Sequence, residues 1–165
     1  MHAERRKEIV KVYGIVVMLL CGLLTACATA PSDSEVQTSD EHAITKLIEE
    51  HVAAYNSQNT QALVAVYAPK AKIESVLAPG AIISQEQFVT MLDELGFQYK
   101  VFLRELNVKV FSEQLAEATA IFRLVDKEQN IILRRRYRFE RFEGTWRILD
   151  VRFVGPVPQL LQRQK

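Results

Sequence analysis

The order of hydrophobic periodicities in this chain of 165 residues predicts an α+β domain, with three helices followed by a mainly antiparallel sheet. Three observations carry that expectation. Apolar residues first recur at helical spacing, from Asp40 to Leu95. From Tyr99 onward they alternate or run together in four segments divided by turn signals. The composition, 48% apolar and 25% charged, suits one buried core and is not that of a disordered chain. Helices gathered before strands, rather than interleaved with them, place the helices on one sheet face.

Residues 1–26 read as a targeting segment. Arg5, Arg6, Lys7 and Lys11 precede an uncharged run, Val12–Leu24, and the small residues Thr25, Ala26 and Cys27 follow. This is the basic, apolar and small-residue order of a secretory signal. Leu24-Thr25-Ala26-Cys27 resembles the bacterial lipobox, which implies cleavage after Ala26 and acylation of Cys27 with palmitate-type chains. Cys21 does not compete, because the preceding Leu20 is too large for the small-residue position. An uncleaved anchor is the alternative, but Val12–Cys27 falls short of the roughly 20 apolar residues that span a bilayer. Each buried methylene contributes about 0.8 kcal/mol, so two or three acyl chains hold a domain firmly to a membrane. Ala28 is not the Asp that favours inner-membrane retention in such lipoproteins, which implies an outer-membrane lipoprotein facing the periplasm, with an inner-membrane anchor as the alternative. Residues 27–39, small, polar and proline-containing, read as a lipidated flexible tether.

The domain proper is expected over residues 40–154. Asp40 opens a helix carrying Ile44, Leu47, Ile48, His51, Val52 and Tyr55 on one face. Asn56–Asn59 break it, and Thr60 is expected to cap a second helix through Tyr67. Ala68-Pro69-Lys70 reads as a turn and Lys72–Leu77 as a short strand. Ser84 with Gln87 forms a capping box for a third helix, which turns Phe88, Met91, Leu92 and Leu95 inward and ends at Gly96. Tyr99–Phe111, Ala116–Val125, Ile131–Phe142 and Trp146–Val154 form a four-stranded meander. The tail, 155–165, is left unstructured.

The last hairpin can be read residue by residue. With Glu143-Gly144-Thr145 as a three-residue loop, Phe142 faces Trp146, Phe139 faces Leu149, Tyr137 faces Val151 and Arg135 faces Phe153. Opposed residues share a face. One face then collects Phe139, Tyr137, Leu149, Val151 and Phe153, with Arg135 at its end. The other collects Arg136, Arg138, Trp146, Asp150 and Arg152, with Arg134 continuing the row. A two-residue loop would mix charged and apolar residues on both faces.

A family resemblance adds to this. Val52-Ala53-Ala54-Tyr55-Asn56-Ser57-Gln58-Asn59, Ala62-Leu63 and Tyr67-Ala68-Pro69-Lys70-Ala71 resemble the opening of nuclear-transport-factor-2-like domains, the superfamily of ketosteroid isomerases and polyketide cyclases. Phe142-Glu143-Gly144-Thr145-Trp146-Arg147-Ile148 resembles its closing hairpin. The resemblance, over roughly Asp40–Phe153, implies a strongly curved sheet wrapped round the helices into a cone-shaped barrel with a pocket. In the isomerase branch the catalytic base would fall at Ser75, a tyrosine donor at His51 and a second acid near Arg138, and all three depart from that pattern. Serine is no base for a carbon acid at neutral pH, and Glu74 lies one residue away on the opposite strand face.

His51, Tyr67, Arg135, Tyr137 and Phe153 are the pocket candidates, polar and aromatic groups on an apolar face, suited to a small apolar or anionic ligand. An ordinary core also contains such His and Tyr residues with their polar atoms satisfied. Arg136, Arg138, Trp146, Asp150 and Arg152 are the interface candidates, and the resemblance implies a homodimer through that face; a solvated sheet surface has the same composition. A formal charge of +1, from 21 basic and 20 acidic residues, argues against a nucleic-acid partner. Two cysteines and three histidines argue against a zinc site or disulfide scaffold, and no cofactor fingerprint is present. The expectation is therefore a lipid-anchored, non-catalytic ligand- or partner-binding domain. Its alternatives are a hydrolase, dehydratase or isomerase built on His51, Asp150 and Tyr137, and a structural adaptor acting through the arginine face.

Overall fold

A computed structural model describes residues 33–75 and 80–155, so the lipobox with Cys27 and the segment from Pro156 on lie outside the described residues. The elements run α1 (Asp33–Asn56), α2 (Thr60–Ala65), β1 (Tyr67–Glu74), β2 (Ile82–Ser84), α3 (Gln85–Leu95), β3 (Lys100–Ser112), β4 (Leu115–Val125), β5 (Asn130–Phe142) and β6 (Thr145–Phe153). The strands form one open, six-stranded sheet in the order β2-β1-β6-β5-β4-β3. The meander β3–β6 is antiparallel, β1 runs parallel to β6, and β2 closes the far edge against β1. This is the α+β layout read from the sequence.

Helix α1 begins at Asp33, inside the segment read as tether, and not at Asp40. Ile44, Leu47, Ile48, His51 and Ala54 are buried along one stripe, as the spacing required. Asn59, not Thr60, caps α2, its side chain accepting from Ala62 N at 2.9 Å. The capping box of α3 is formed: Gln87 N donates to Ser84 Oγ at 3.2 Å and Ser84 N to Gln87 Oε1 at 2.8 Å. That helix ends at Gly96, whose φ of +74° suits a residue without Cβ.

Two expectations about the strands are corrected. Ala68-Pro69-Lys70 is not a turn, and Tyr67 is not helical; both belong to β1. The pairing of β1 with β6 shifts between Tyr67 and Lys72, so Pro69 sits at a break in the ladder, where its missing N–H costs little.

The second correction concerns the β5–β6 hairpin. Its loop has two residues, with Phe142 paired to Thr145 and both Glu143 and Gly144 at positive φ (49° and 77°). That is the geometry a two-residue hairpin turn needs, with glycine second. Pairing continues Arg141–Trp146, Glu140–Arg147 and Phe139–Ile148, then shifts by one residue at Leu149 to Arg138–Asp150, Tyr137–Val151 and Arg135–Phe153. The bulge reverses strand parity. Ile148, not Leu149, is buried against the helices near the turn, and beyond the bulge Val151 is buried as expected.

Trp146 is therefore not an outer-face residue. It is 4% exposed, and its Nε1 donates to Asp40 Oδ1 at 3.1 Å. Arg141 also bonds Asp40 Oδ1 and lies 4.8 Å over the indole ring. The buried Asp40 thus ties α1 to the hairpin end of the sheet. The most deeply buried large side chains are Tyr137, Phe139, Ile44, Ile48, Leu63, Ile73, Ile148 and Val151, contributed by two helices and three adjacent strands.

Candidate functional site

Alternation along β5 turns Leu133, Arg135 and Tyr137 toward the helices, and the stripe of α1 turns His51, Val52 and Tyr55 toward the sheet. Between them lies a cavity of about 60 Å³, closed by Phe88 of α3 and by Phe122 and Leu124 of β4. Among the described residues its lining holds no carboxylate, thiol or aliphatic hydroxyl.

The polar groups are buried and linked. His51 Nε2 lies 2.9 Å from the Tyr67 hydroxyl, and the His51 ring meets Tyr67 and Tyr137 edge-on, at 5.6 and 6.1 Å between centroids. Burial, reinforced by the positive charge of Arg135, pushes the His51 pKa down to about 3, so the imidazole is neutral at physiological pH. Burial likewise raises Tyr67 and Tyr137 above the usual phenol range, with Arg135 opposing in each case. Arg135 is 7% exposed. Its Nη2 donates to the Glu74 carbonyl at 3.2 Å, and its guanidinium lies 4.7 Å over the Phe153 ring.

Of the pocket candidates, His51, Arg135 and Tyr137 line the cavity, while Tyr67 stands behind His51 and Phe153 behind Arg135. Sequence reading missed Tyr55 and the apolar walls Phe88, Phe122 and Leu133. The helical stripe marked Tyr55 and Phe88 as inward, and nothing in the sequence separates cavity walls from core.

Asp150 does not join the cavity. It pairs with Arg138 on the outer face, and Arg152 grips its carboxylate, Nε at 2.9 and 2.8 Å from the two oxygens and Nη2 at 2.7 Å from Oδ1. Those bonds raise the pKa of Arg152. Arg138 meets Glu117 of β4 at 3.6 Å rather than Asp150, and Arg136 lies between Thr119 and Arg152 in the same row. Ser75 is buried against Met91, its Oγ 3.8 Å from the sulfur. The Glu74 carboxylate is spent on backbone, accepting from Gly80 N and Phe153 N at 2.8 Å each. His51 and Tyr137 meet at the cavity, and Asp150 is not brought to them.

Solved structures share this arrangement of helices and sheet. An NTF2-like protein of unknown function from Pseudomonas putida superposes with a TM-score of 0.62 at 20% identity, over 76% of this chain and 93% of that one. The chain has the nuclear-transport-factor-2-like fold. A protein from Shewanella frigidimarina proposed as a ketosteroid isomerase gives 0.58 at 13% identity, over 68% of this chain and 94% of its own. One from Xanthomonas campestris proposed as a polyketide cyclase gives 0.51 at 18%, over 73% and 95%. No protein-family model and no curated protein matches the sequence. The NTF2-like scaffold carries differing functions, so function is argued from the cavity. No helix among the described residues is long and apolar enough to cross a membrane.

Proposed function

We infer that this NTF2-like domain is a non-catalytic binding module of a bacterial envelope, held to a membrane through an acylated Cys27 and taking a small, mainly apolar molecule into the His51–Tyr137 cavity. The observation that carries the binding reading is the cavity itself, with apolar walls and a few buried polar groups converging on it. The case against catalysis is chemical. A general base works best with a pKa near the operating pH, and His51 is displaced well below it. Asp150, the carboxylate that could have oriented it, is held by Arg152 on the other side of the sheet. The lipid anchor rests on the lipobox resemblance, and outer-membrane placement on Ala28. Native mass spectrometry of the protein extracted from its own membrane tests the whole reading. The expected mass is that of residues 27–165 with two or three acyl chains and a retained small molecule. An unprocessed, unacylated chain would overturn the anchor, and turnover of a bound compound would overturn the non-catalytic role.

A second reading, a partner surface on the outer sheet face, is favoured by the row Arg134, Arg136 and Arg138. The first two have no acidic ion-pair partner among the described residues, and Ile132 beside them is 58% exposed. Trp146 has no part in it. Dimerisation through this face predicts that the pair Arg136→Glu and Arg138→Glu converts a dimer to a monomer on sizing chromatography; an unchanged elution volume would remove the reading.

A further inference from the structure

The cavity presents two buried nitrogens with nothing to bind. Arg135 Nε and His51 Nδ1 each lack a hydrogen-bond partner, and their side chains, 7% and 8% exposed, line the same space. A guanidinium is a cation with donors only and no acceptor. A buried cation without a counter-charge costs several kcal/mol, yet no Asp or Glu pairs with it among the described residues. Glu74 is the near miss: its carbonyl reaches Arg135, while both of its carboxylate oxygens are turned to backbone donors. The guanidinium has the Glu74 carbonyl and the Tyr137 hydroxyl as neutral partners, and its Nε is left without one where the side chain lines the cavity.

We propose that the ligand is a monoanion with an apolar body, a carboxylate whose oxygens are held by Arg135 Nε–H and His51 Nδ1–H. This rests on the reading of the cavity as a binding site and names its ligand class. The proposed tautomer has the Tyr67 hydroxyl, 2.9 Å from His51 Nε2, as the donor of that bond, which leaves the single proton of the neutral imidazole on the unpartnered Nδ1. One guanidinium and one neutral donor match one negative charge. A phosphate dianion would bring a second charge with no second cation among the lining residues. Size points the same way, since about 60 Å³ holds a headgroup and only a short apolar stem. A neighbouring cavity of the same volume shares Tyr55, Phe88 and Leu124 and continues past Met91, Leu92 and Leu95. Rotation of Tyr55 or Phe88 would join the two, giving a tail of several carbons a path along α3.

The test is calorimetric titration of the full chain, in a mild non-ionic detergent, with hexanoate and with hexan-1-ol. Hexanoate is expected to bind at least about tenfold more tightly than the alcohol, about 1.4 kcal/mol. Arg135→Met should weaken hexanoate about tenfold or more and hexan-1-ol by much less, so that the preference for the acid is lost. His51→Gln, which keeps a group for Tyr67 and loses the Nδ1 donor, should weaken hexanoate severalfold. If Arg135→Met does not fold by circular dichroism, Arg135→Lys, which keeps the charge and loses Nε–H, should still weaken hexanoate. Equal binding of acid and alcohol, or hexanoate binding indifferent to these substitutions, would overturn the monoanion while leaving a ligand cavity. Binding of neither probe would overturn both readings.

Discussion

Acidification from pH 7 to pH 5 offers a quantitative check on the burial of His51. The unfolded chain titrates this histidine near its ordinary value of 6.5, whereas the folded chain holds it neutral down to about 3. Below pH 6.5 the unfolded state therefore binds a proton that the folded state refuses, and stability falls as pH falls. The slope is about 1.4 kcal/mol per pH unit between those two values, giving a loss of about 2 kcal/mol at pH 5. Above pH 6.5 the group contributes no pH dependence. Urea unfolding followed by Trp146 fluorescence, at both pH values, measures the loss in the wild type and in His51→Gln. Glutamine does not titrate and keeps a group facing Tyr67, so losses from carboxylates cancel between the two proteins. The wild type should lose about 2 kcal/mol more than the variant. Equal losses would mean that His51 is solvated or protonated in the folded protein, and the neutral donor at the cavity would fall with it.

The β5–β6 bulge makes adjacent residues unequal: Ile148→Ala should cost about 2–5 kcal/mol and Leu149→Ala less than half of that in chemical denaturation, with equal costs contradicting the parity reversal. Trp146→Phe removes the indole donor to the buried Asp40, and thermal unfolding should report a loss of about 1–2 kcal/mol, shrinking markedly when Asp40 is already Ala. Gly144→Ala places a Cβ at a φ of +77° and should cost about 1 kcal/mol in the same assay, an unchanged midpoint arguing against the two-residue turn. Ser84→Ala should cost about 1 kcal/mol through loss of the α3 cap.

Local chemistry was legible wherever one residue's side chain completes its own neighbourhood. The Ser84–Gln87 box and the Gly96 stop depend on a few consecutive residues, and both stand where the sequence put them. The period of two along β5 placed Arg135 and Tyr137 on one face, and with them two of the groups that line the cavity. The adjacent pair Ile148-Leu149 is the one trace in the sequence of a parity change, and it does not say on which side of the pair the change falls.

Tertiary structure decided the rest, because the competing local choices are close in energy and packing separates them. A two-residue loop followed by a bulge and a three-residue loop give the same partners beyond Leu149; burying Trp146 on Asp40 and Arg141 selects the first. Pro69 lies in a strand because β1 breaks register beside β6, a parallel neighbour contributed from the far end of the chain. The sequence alone determined an α+β order of elements and an inward Arg135. That this arginine meets apolar walls, a neutral histidine and no carboxylate was set by which residues the curved sheet brought opposite it, since charge compensation in a core depends on neighbours distant in the chain.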